Sequence, residues 1–338
     1  MSVISPLVSV ILPVFNGRPY LHDAIASILT QLHDDFELIV IDDGSTDDSV
    51  SILEQLDDPR IRLVRQPNQG LAATLNRGIS LARGQYIARQ DQDDLSYPER
   101  LAKQVAYMDS HPECVLLGTW AQIMEVDRLV ERFHRHPVDE AELRYQMLFN
   151  NPFVHSSVML RRTALQQVGG YTTDPDRQPP EDYELWSRLS RAGSIANIGE
   201  ILQIYREIPG SMSRVGPSPF RRRLIKICAE NLAAAAQVSP DDPDVVAIAA
   251  LTHGEADALP GRPDFTRMQA LLLRAIESFA SQQQAPSLRQ DALSRIEAMQ
   301  AGWMMRDSAA YGLLQAVGPV RNVAKRIWRL IQRFRSAR

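Results

Sequence analysis

Between residues 8 and 90, four short apolar runs alternate with three amphipathic stretches, and few folds accept that alternation. "VSVILPVF" (8–15), "FELIVID" (36–42), "IRLVRQ" (61–66) and "QYIARQ" (85–90) are too short for buried helices. The first two are dense in Val and Ile and read as buried strands, and the other two complete the series. Helical spacing fills the gaps, from Pro19 to Leu32, from about Asp47 to Leu56 and from Gly70 to Ala82. Strands alternating with helices of such length imply βαβ units and a mainly parallel sheet. Open sheets of that kind bind ligands beyond the carboxyl ends of their strands. "PVFNG", "DDGSTDD" and "DQDD" all fall at such ends, so three polar clusters converge on one edge.

The following stretch is mixed. Residues 114–126 and 157–161 read as strands, 139–149 as a helix and 162–168 as a short helix. "EDYELWSRLSRAG" (181–193) carries Leu185, Trp186 and Leu189 on one helical stripe and stops at Gly193. "EILQIYRE" (200–207) reads as a further strand. After "GPSP" (216–219) the chain becomes rich in Ala, Leu and Arg, with helical spacing broken near Pro240–Pro243, Pro260–Pro263 and Pro286. The expected division is an α/β domain over 1–215 and a helical extension over 216–338. The α/β part itself divides into two halves, about 1–100 and about 101–215. A chain of 338 residues is long enough for both. No repeat is present, and "VSVILPVF" is too short for a membrane span and lacks the preceding cationic region of a targeting signal.

Composition narrows the function. A content of 44% apolar and 23% charged residues suits a globular protein with an ample core. The net charge of −4 argues against wholesale nucleic-acid binding. Cys114 and Cys228 form no CxxC and no metal-ligand cluster, and read as buried, reduced thiols in a cytosolic setting.

The chemistry concentrates in "DQDD". Asp91, Asp93 and Asp94 repel one another, so the turn is either fully solvated or neutralised by a divalent cation. Other chemistries fit less well. "PVFNGRPY" has one glycine where a dinucleotide site needs GxGxxG, and no GxxxxGK[ST] occurs. "DQDDLSYPER" lacks the glycine of an EF-hand loop. A Mg²⁺-dependent phosphatase with an aspartyl nucleophile is the strongest rival. Such enzymes usually place the pair after the first strand with Thr or Val two residues on; here it follows the fourth, and Leu95 holds that place.

"VSVILPVFNGRPYLHDAIASILTQ", "FELIVIDDGSTDDS", "NQGLAATLNRGISLARGQYIARQDQDD", "HSSVMLRR" and "PEDYELWSRL" together resemble the family 2 glycosyltransferases of GT-A fold, over about residues 6–213. The C-terminal third matches no motif of the family. The resemblance implies a Rossmann-like mixed sheet flanked by helices. It implies inverting transfer of a sugar from a nucleotide-diphospho sugar to a hydroxyl of a glycan or lipid-linked acceptor, in bacterial surface-polysaccharide synthesis. Mn²⁺ or Mg²⁺ would stabilise the departing diphosphate. In this family's DxD, Asp93 corresponds to the metal ligand, and Asp91 to a residue that holds the ribose or assists the ion through water. Asp94 would support them.

The other expectations follow the same likeness. Asp43 corresponds to the carboxylate that accepts from the uracil N3–H, which favours UDP. Pro13 and Asn16 would line the nucleoside pocket, and Arg65 would either pair with the diphosphate or form a surface ion pair. Asp47 and Asp48 read as the start of the next helix. "PPEDYELW" resembles the family's acidic motif, making Asp182 the base with Glu181 second; on residue type alone Asp182 reads equally as a helix cap. Trp186 reads as core or as a sugar platform, and His155 as lining or packing. In "YREIPGSMS", Ile208 stands where relatives often have a histidine, so metal coordination would rest on Asp93 with diphosphate and water. His134 and His136 read as solvated. A catalytically dead binding module is the remaining alternative, although such a copy would be expected to have lost Asp93 or Asp182.

The last feature is "PVRNVAKRIWRLIQRFRSAR" (319–338), with seven basic residues and no acid. At about 100° per residue its apolar and basic side chains separate onto opposite faces. That is the pattern of an interfacial helix on an anionic membrane, which would place the protein on the inner face of the cytoplasmic membrane, or of a helix docked on protein.

Overall fold

A computed structural model describes residues 5–208 and 218–306. The expected boundary near 215 and the basic segment 319–338 lie outside these residues. The expected strands form β1 (Val8–Val14), β2 (Phe36–Asp42), β3 (Ile61–Arg65), β4 (Tyr86–Arg89), β6 (Cys114–Glu125), β8 (Met159–Arg161) and β9 (Ser194–Glu207). Two more had no clear signal in the sequence, β5 (Leu95–Ser96) and β7 (Arg128–His134). β5 is two residues long, and β7 is an edge strand whose side chains are mostly exposed or half-buried, so neither shows a strand's apolar alternation.

All nine strands among the described residues join one sheet in the order β3-β2-β1-β4-β8-β6-β9-β5, with β7 on β6. β3, β2, β1 and β4 run parallel. β8 is antiparallel to both β4 and β6, and β6 runs parallel to β9. The sheet is therefore mixed, with the parallel half at one side.

Alternation along the strands feeds two apolar layers. Ile11, Ile39, Ile41 and Ile87 face α3 (Leu71–Leu81) and the later helices. Val10, Leu12, Leu38 and Val40 face α1 (Leu21–Leu29) and α4 (Arg100–Ser110). Gly78 lets α3 lie close on β1: a Cβ there would come within 2.5 Å of the Ile11 Cγ2. Helix α4 gave no sequence signal because two of its buried positions are Arg100 and Gln104.

The α/β part beyond residue 100 adds α5 (Glu140–Gln146), α6 (Arg162–Val168) and α7 (Glu181–Ala192). Among the described residues four more helices follow: α8 (Ser218–Ala236), α9 (Pro243–Thr252), α10 (Phe265–Glu277) and α11 (Ala285–Arg306). Their buried faces, including Leu232, Ile248, Leu272 and Ile296, continue the core that holds Leu185 and Trp186 of α7. Polar contacts bridge the same seam. Asn231 Nδ2 donates to Met147 O at 2.9 Å and to Ser187 Oγ at 2.8 Å, and Tyr145 Oη donates to Asp291 Oδ2 at 2.8 Å. Both cysteines are buried and free, and burial pushes each thiol up to about 12.

Candidate active site

The chain leaves β4 through the acidic turn, and buried polar groups hold that turn from below. Arg100 is fully buried. Its Nη1 donates to Gln90 Oε1 at 3.0 Å, Ser96 Oγ at 2.7 Å and Gln203 Oε1 at 3.1 Å, and its Nη2 to Arg89 O at 2.7 Å. Burial and the neighbouring Arg89 charge push Arg100 down to about 9. Gln90 Nε2 donates to Asp94 O at 2.7 Å.

Asp94 points into the protein. It accepts from Ser156 Oγ and, at 2.7 Å, from the Arg206 backbone N–H. Burial, then Asp91 and Asp93, raise its carboxyl far above the usual range. The Arg206 side chain closes the clamp: Nε donates to Asp93 O at 2.8 Å, and the guanidinium lies 4.1 Å from the Tyr20 ring centroid. The clamping role of Arg206 had no signal beyond the Tyr-Arg that ends β9.

Asp93 is left differently. Among the described residues no other residue donates to its carboxylate. Burial first, and then the Asp91 charge, push it up to about 6. Asp91 is half-buried and pairs with Arg89. An acidic turn with one unclaimed, partly desolvated carboxylate suits a hard dication as a single oxygen ligand. No three His, Cys, Asp or Glu side chains among the described residues stand where they could together hold an ion.

The exits of β1 and β2 are tied to this turn. Phe15 N donates to Gln92 Oε1 at 2.9 Å, and Gln92 Nε2 returns to Phe15 O at 3.1 Å. Asn16, at a φ of 52°, donates from its backbone to Ser45 Oγ at 3.0 Å and accepts from Thr46 N at 2.8 Å. The three polar clusters are thus joined. Asn16 itself is exposed at the edge, whereas Pro13 is buried inside β1.

Asp43 is buried and already engaged. Its Oδ1 accepts from Gln66 Nε2 at 2.7 Å and Gln69 N at 2.9 Å, and its Oδ2 from Gly70 N at 2.9 Å. A carboxylate offers about four acceptor directions, so one remains on Oδ2. Arg65 takes the surface alternative, pairing at 2.5 Å with Glu54 of α2 (Ser49–Glu54). Asp47 accepts from Ser49 N at 3.0 Å and from Arg18 N at 3.1 Å, in keeping with its expected place at a helix start.

Across from the turn, Glu181 and Asp182 open α7. The residue before the helix is Pro180, so Asp182 sits in the first turn and does not cap it. Asp182 accepts from Asn151 Nδ2 at 2.8 Å and from Tyr183 N at 2.7 Å. Burial nevertheless raises its carboxyl. Burial, and then the Asp182 charge, push Glu181 up to about 7. No other residue's side chain donates to Glu181 among those described.

Arg89 links the two acidic groups. Its guanidinium acts on Asp93, Glu181 and Asp182 as well as pairing with Asp91. His155 packs here, with Nε2 2.9 Å from Tyr171 Oη and its ring against Trp186. Burial and Arg89 hold His155 well below its usual range. Trp186 is wholly buried, which leaves no face for a sugar and settles its role as core. His134 and His136 differ from expectation. Their rings stack 6.0 Å apart, and burial pulls His136 down to about 4, so they are half-buried neutral groups. Arg89 lay within a quoted motif, but its burial depends on what packs over β4.

Comparisons with known proteins agree with this geometry. The family model "Glycosyl transferase family 2" matches residues 9–169. The putative glycosyltransferase EpsE of Bacillus subtilis is 36% identical over 62% of this chain and 76% of its own length. TuaG of the same organism, a putative teichuronic acid biosynthesis glycosyltransferase, is 32% identical over 62% of this chain and 82% of its own. Among solved structures, S. aureus TarS 1-349 in complex with UDP-GlcNAc superposes with a TM-score of 0.59, at 17% identity, over 89% of this chain and 93% of that one. The mannosyltransferase PcManGT of Pyrobaculum calidifontis, in complex with GDP-Man and Mn²⁺, gives 0.55 at 17% identity, over 98% and 85%. At that identity the two structures establish the GT-A fold alone. The identity and coverage shared with the Bacillus relatives carry the assignment further, and the chain belongs to glycosyl transferase family 2 and is a glycosyltransferase.

Proposed function

We propose that the protein is an inverting, metal-dependent transferase. It moves a sugar from a nucleotide-diphospho sugar to a hydroxyl of a glycan or lipid-linked acceptor. The observation that carries this is the placement of the acidic turn and the Glu181–Asp182 pair around one buried arginine at one end of the sheet. A donor's leaving group and an acceptor's hydroxyl need such opposed acidic groups, one on each side of the anomeric carbon.

The residues divide the work. Asp43 offers its remaining acceptor direction to an imide N–H, which favours uridine and therefore UDP. Asn16 and Pro13 shape the edge beside it. Asp93 would hold Mn²⁺ or Mg²⁺ together with the diphosphate, and Asp91 would stand beside the ribose. A dication there would stabilise the charge that accumulates on the departing diphosphate. Asp182 would accept the acceptor's proton as the new bond forms, with Glu181 as the second carboxylate; such assistance is typically worth about 10²–10⁴-fold. Arg65 stays with Glu54 and takes no part.

The setting is bacterial surface-polysaccharide synthesis, in line with what TuaG's name states for that protein. The basic segment 319–338 would hold the enzyme on the inner face of the cytoplasmic membrane, beside a lipid-linked acceptor. No helix among the described residues is long and apolar enough to cross a membrane.

A thermal-shift screen of nucleotide sugars with and without Mn²⁺, followed by NMR of the product, tests the whole reading. A UDP-sugar should stabilise the protein only with the metal, and the product anomer should be inverted. A retained anomer overturns single displacement, and stabilisation indifferent to metal overturns the role of Asp93.

A further inference from the structure

Arg89 is the least expected group in the site. It ends β4, its side chain is only 2% exposed, and its Nη1 pairs with Asp91 Oδ1. Nε, Nη1 and Nη2 are all buried without an aligned hydrogen-bond partner, so the contact with Asp91 is an ion pair. Buried guanidinium groups ordinarily satisfy their donors, as Arg100 does beneath the acidic turn. Arg89 therefore holds its place through charge. Carboxylates surround it: Asp91 is paired with it, Asp94 adds to its field, and it acts in turn on Asp93, Glu181 and Asp182.

This arrangement bears on the dication. A carboxylate committed to a buried guanidinium gives a metal ion little, because the ion would approach a like charge of low mobility. Asp93 has no such partner. We propose that Arg89 is a resident counter-cation that takes Asp91 out of the metal-ligand set. Free divalent cation is then held weakly by Asp93 alone, and firm binding requires the diphosphate of the donor. Arg89 acts here as a positioning residue, through Asp91. The inference rests on the reading that Asp93 is the metal ligand.

Binding of Mn²⁺ to the full chain, followed by electron paramagnetic resonance with and without UDP, tests it without any turnover. Wild type should bind free Mn²⁺ weakly and more tightly once UDP is added. Arg89→Met should tighten free Mn²⁺ binding by about tenfold, the scale on which neighbouring groups tune metal sites. Arg89→Lys should stay close to wild type, and Arg89→Met combined with Asp91→Asn should lose the gain. An arginine that only packed would not tighten binding when removed, and one that acted on Asp93 directly would keep the gain in the double variant. Unchanged or weaker binding in folded Arg89→Met overturns the inference, as does a lysine variant as tight as the methionine. If Arg89→Met does not fold by circular dichroism, Asp91→Asn decides alone: it should leave Mn²⁺ affinity near wild type, and a loss of about tenfold or more makes Asp91 a ligand. Asp93→Ala separates the two readings. If it binds Mn²⁺ like wild type, or if wild type takes up none even with UDP, the metal reading itself has failed and the inference with it.

Discussion

Asp93 and Asp94 adjoin in sequence, yet one faces the site and the other the protein interior. Asp94 spends its oxygens on Ser156 and Arg206, whereas Asp93 keeps its carboxylate unclaimed among the described residues. Asp93→Ala should therefore abolish metal-dependent nucleotide binding and nearly all turnover while leaving the fold intact. Calorimetric titration of UDP with and without Mn²⁺ is the check. Asp182→Asn keeps the shape and the Asn151 neighbour but cannot accept a proton. Nucleotide affinity should persist while transfer falls by about 10²-fold or more; transfer within tenfold of wild type would remove Asp182 from the base role. Glu181 adds a pH signature. Its folded value of about 7 lies above its ordinary 4.5. The folded chain therefore keeps a proton that the unfolded chain has released, and stability falls as pH rises between those two values. Glu181→Gln should flatten that slope, read as denaturation midpoint against pH.

Two elements set these residues where they act. Helix α4 delivers Arg100 under the turn, where one guanidinium joins Gln90, Ser96, Gln203 and the Arg89 carbonyl. Arg100→Met would leave those acceptors buried and unpaired, and removing one member of such a charged network costs about 3–5 kcal/mol. The melting temperature should fall accordingly, and Mn²⁺-dependent nucleotide binding should weaken because the turn above loses its support. Helix α7 carries the acid pair at its N-terminus and anchors it with Leu185, Trp186 and Leu189, none of them exposed. Leu185→Ala leaves a cavity in that anchor and should cost about 2–5 kcal/mol, measured by denaturant unfolding.

At the scale of the molecule, the helices after residue 218 share one apolar core with α7. Removing residues 218–306 would strip Tyr183, Leu185 and Trp186 of cover, and the remainder should aggregate or unfold, as scattering and circular dichroism would show. The segment 319–338 calls for a gentler cut. Truncation after Gly318 should abolish co-sedimentation with anionic liposomes at low salt while leaving hydrolysis of a donor sugar in solution largely unchanged. Full-length protein that ignores such liposomes, or truncated protein that unfolds, would assign the segment to docking on protein.

What the sequence determined by itself was whatever depends on local pattern. The period of apolar residues placed seven of the nine strands described and the helices between them other than α4, because alternation and helical spacing are properties of neighbouring residues. The likeness of the ordered motifs pointed to the family that the comparisons establish. Tertiary structure decided what depends on partners distant in the chain. Among the described residues edge strand β7 is paired only by β6, and α4 buries charged and amide side chains satisfied by residues up to 103 positions away. The same holds within the site. Nothing local distinguishes Arg65, which turns out to Glu54, from Arg89, which turns inward among carboxylates. Burial of a charge is settled by the long-range packing that removes it from water, and on that packing rest the inward turn of Asp94, the raised carboxyls of Asp93 and Glu181, and the pairing that withdraws Asp91.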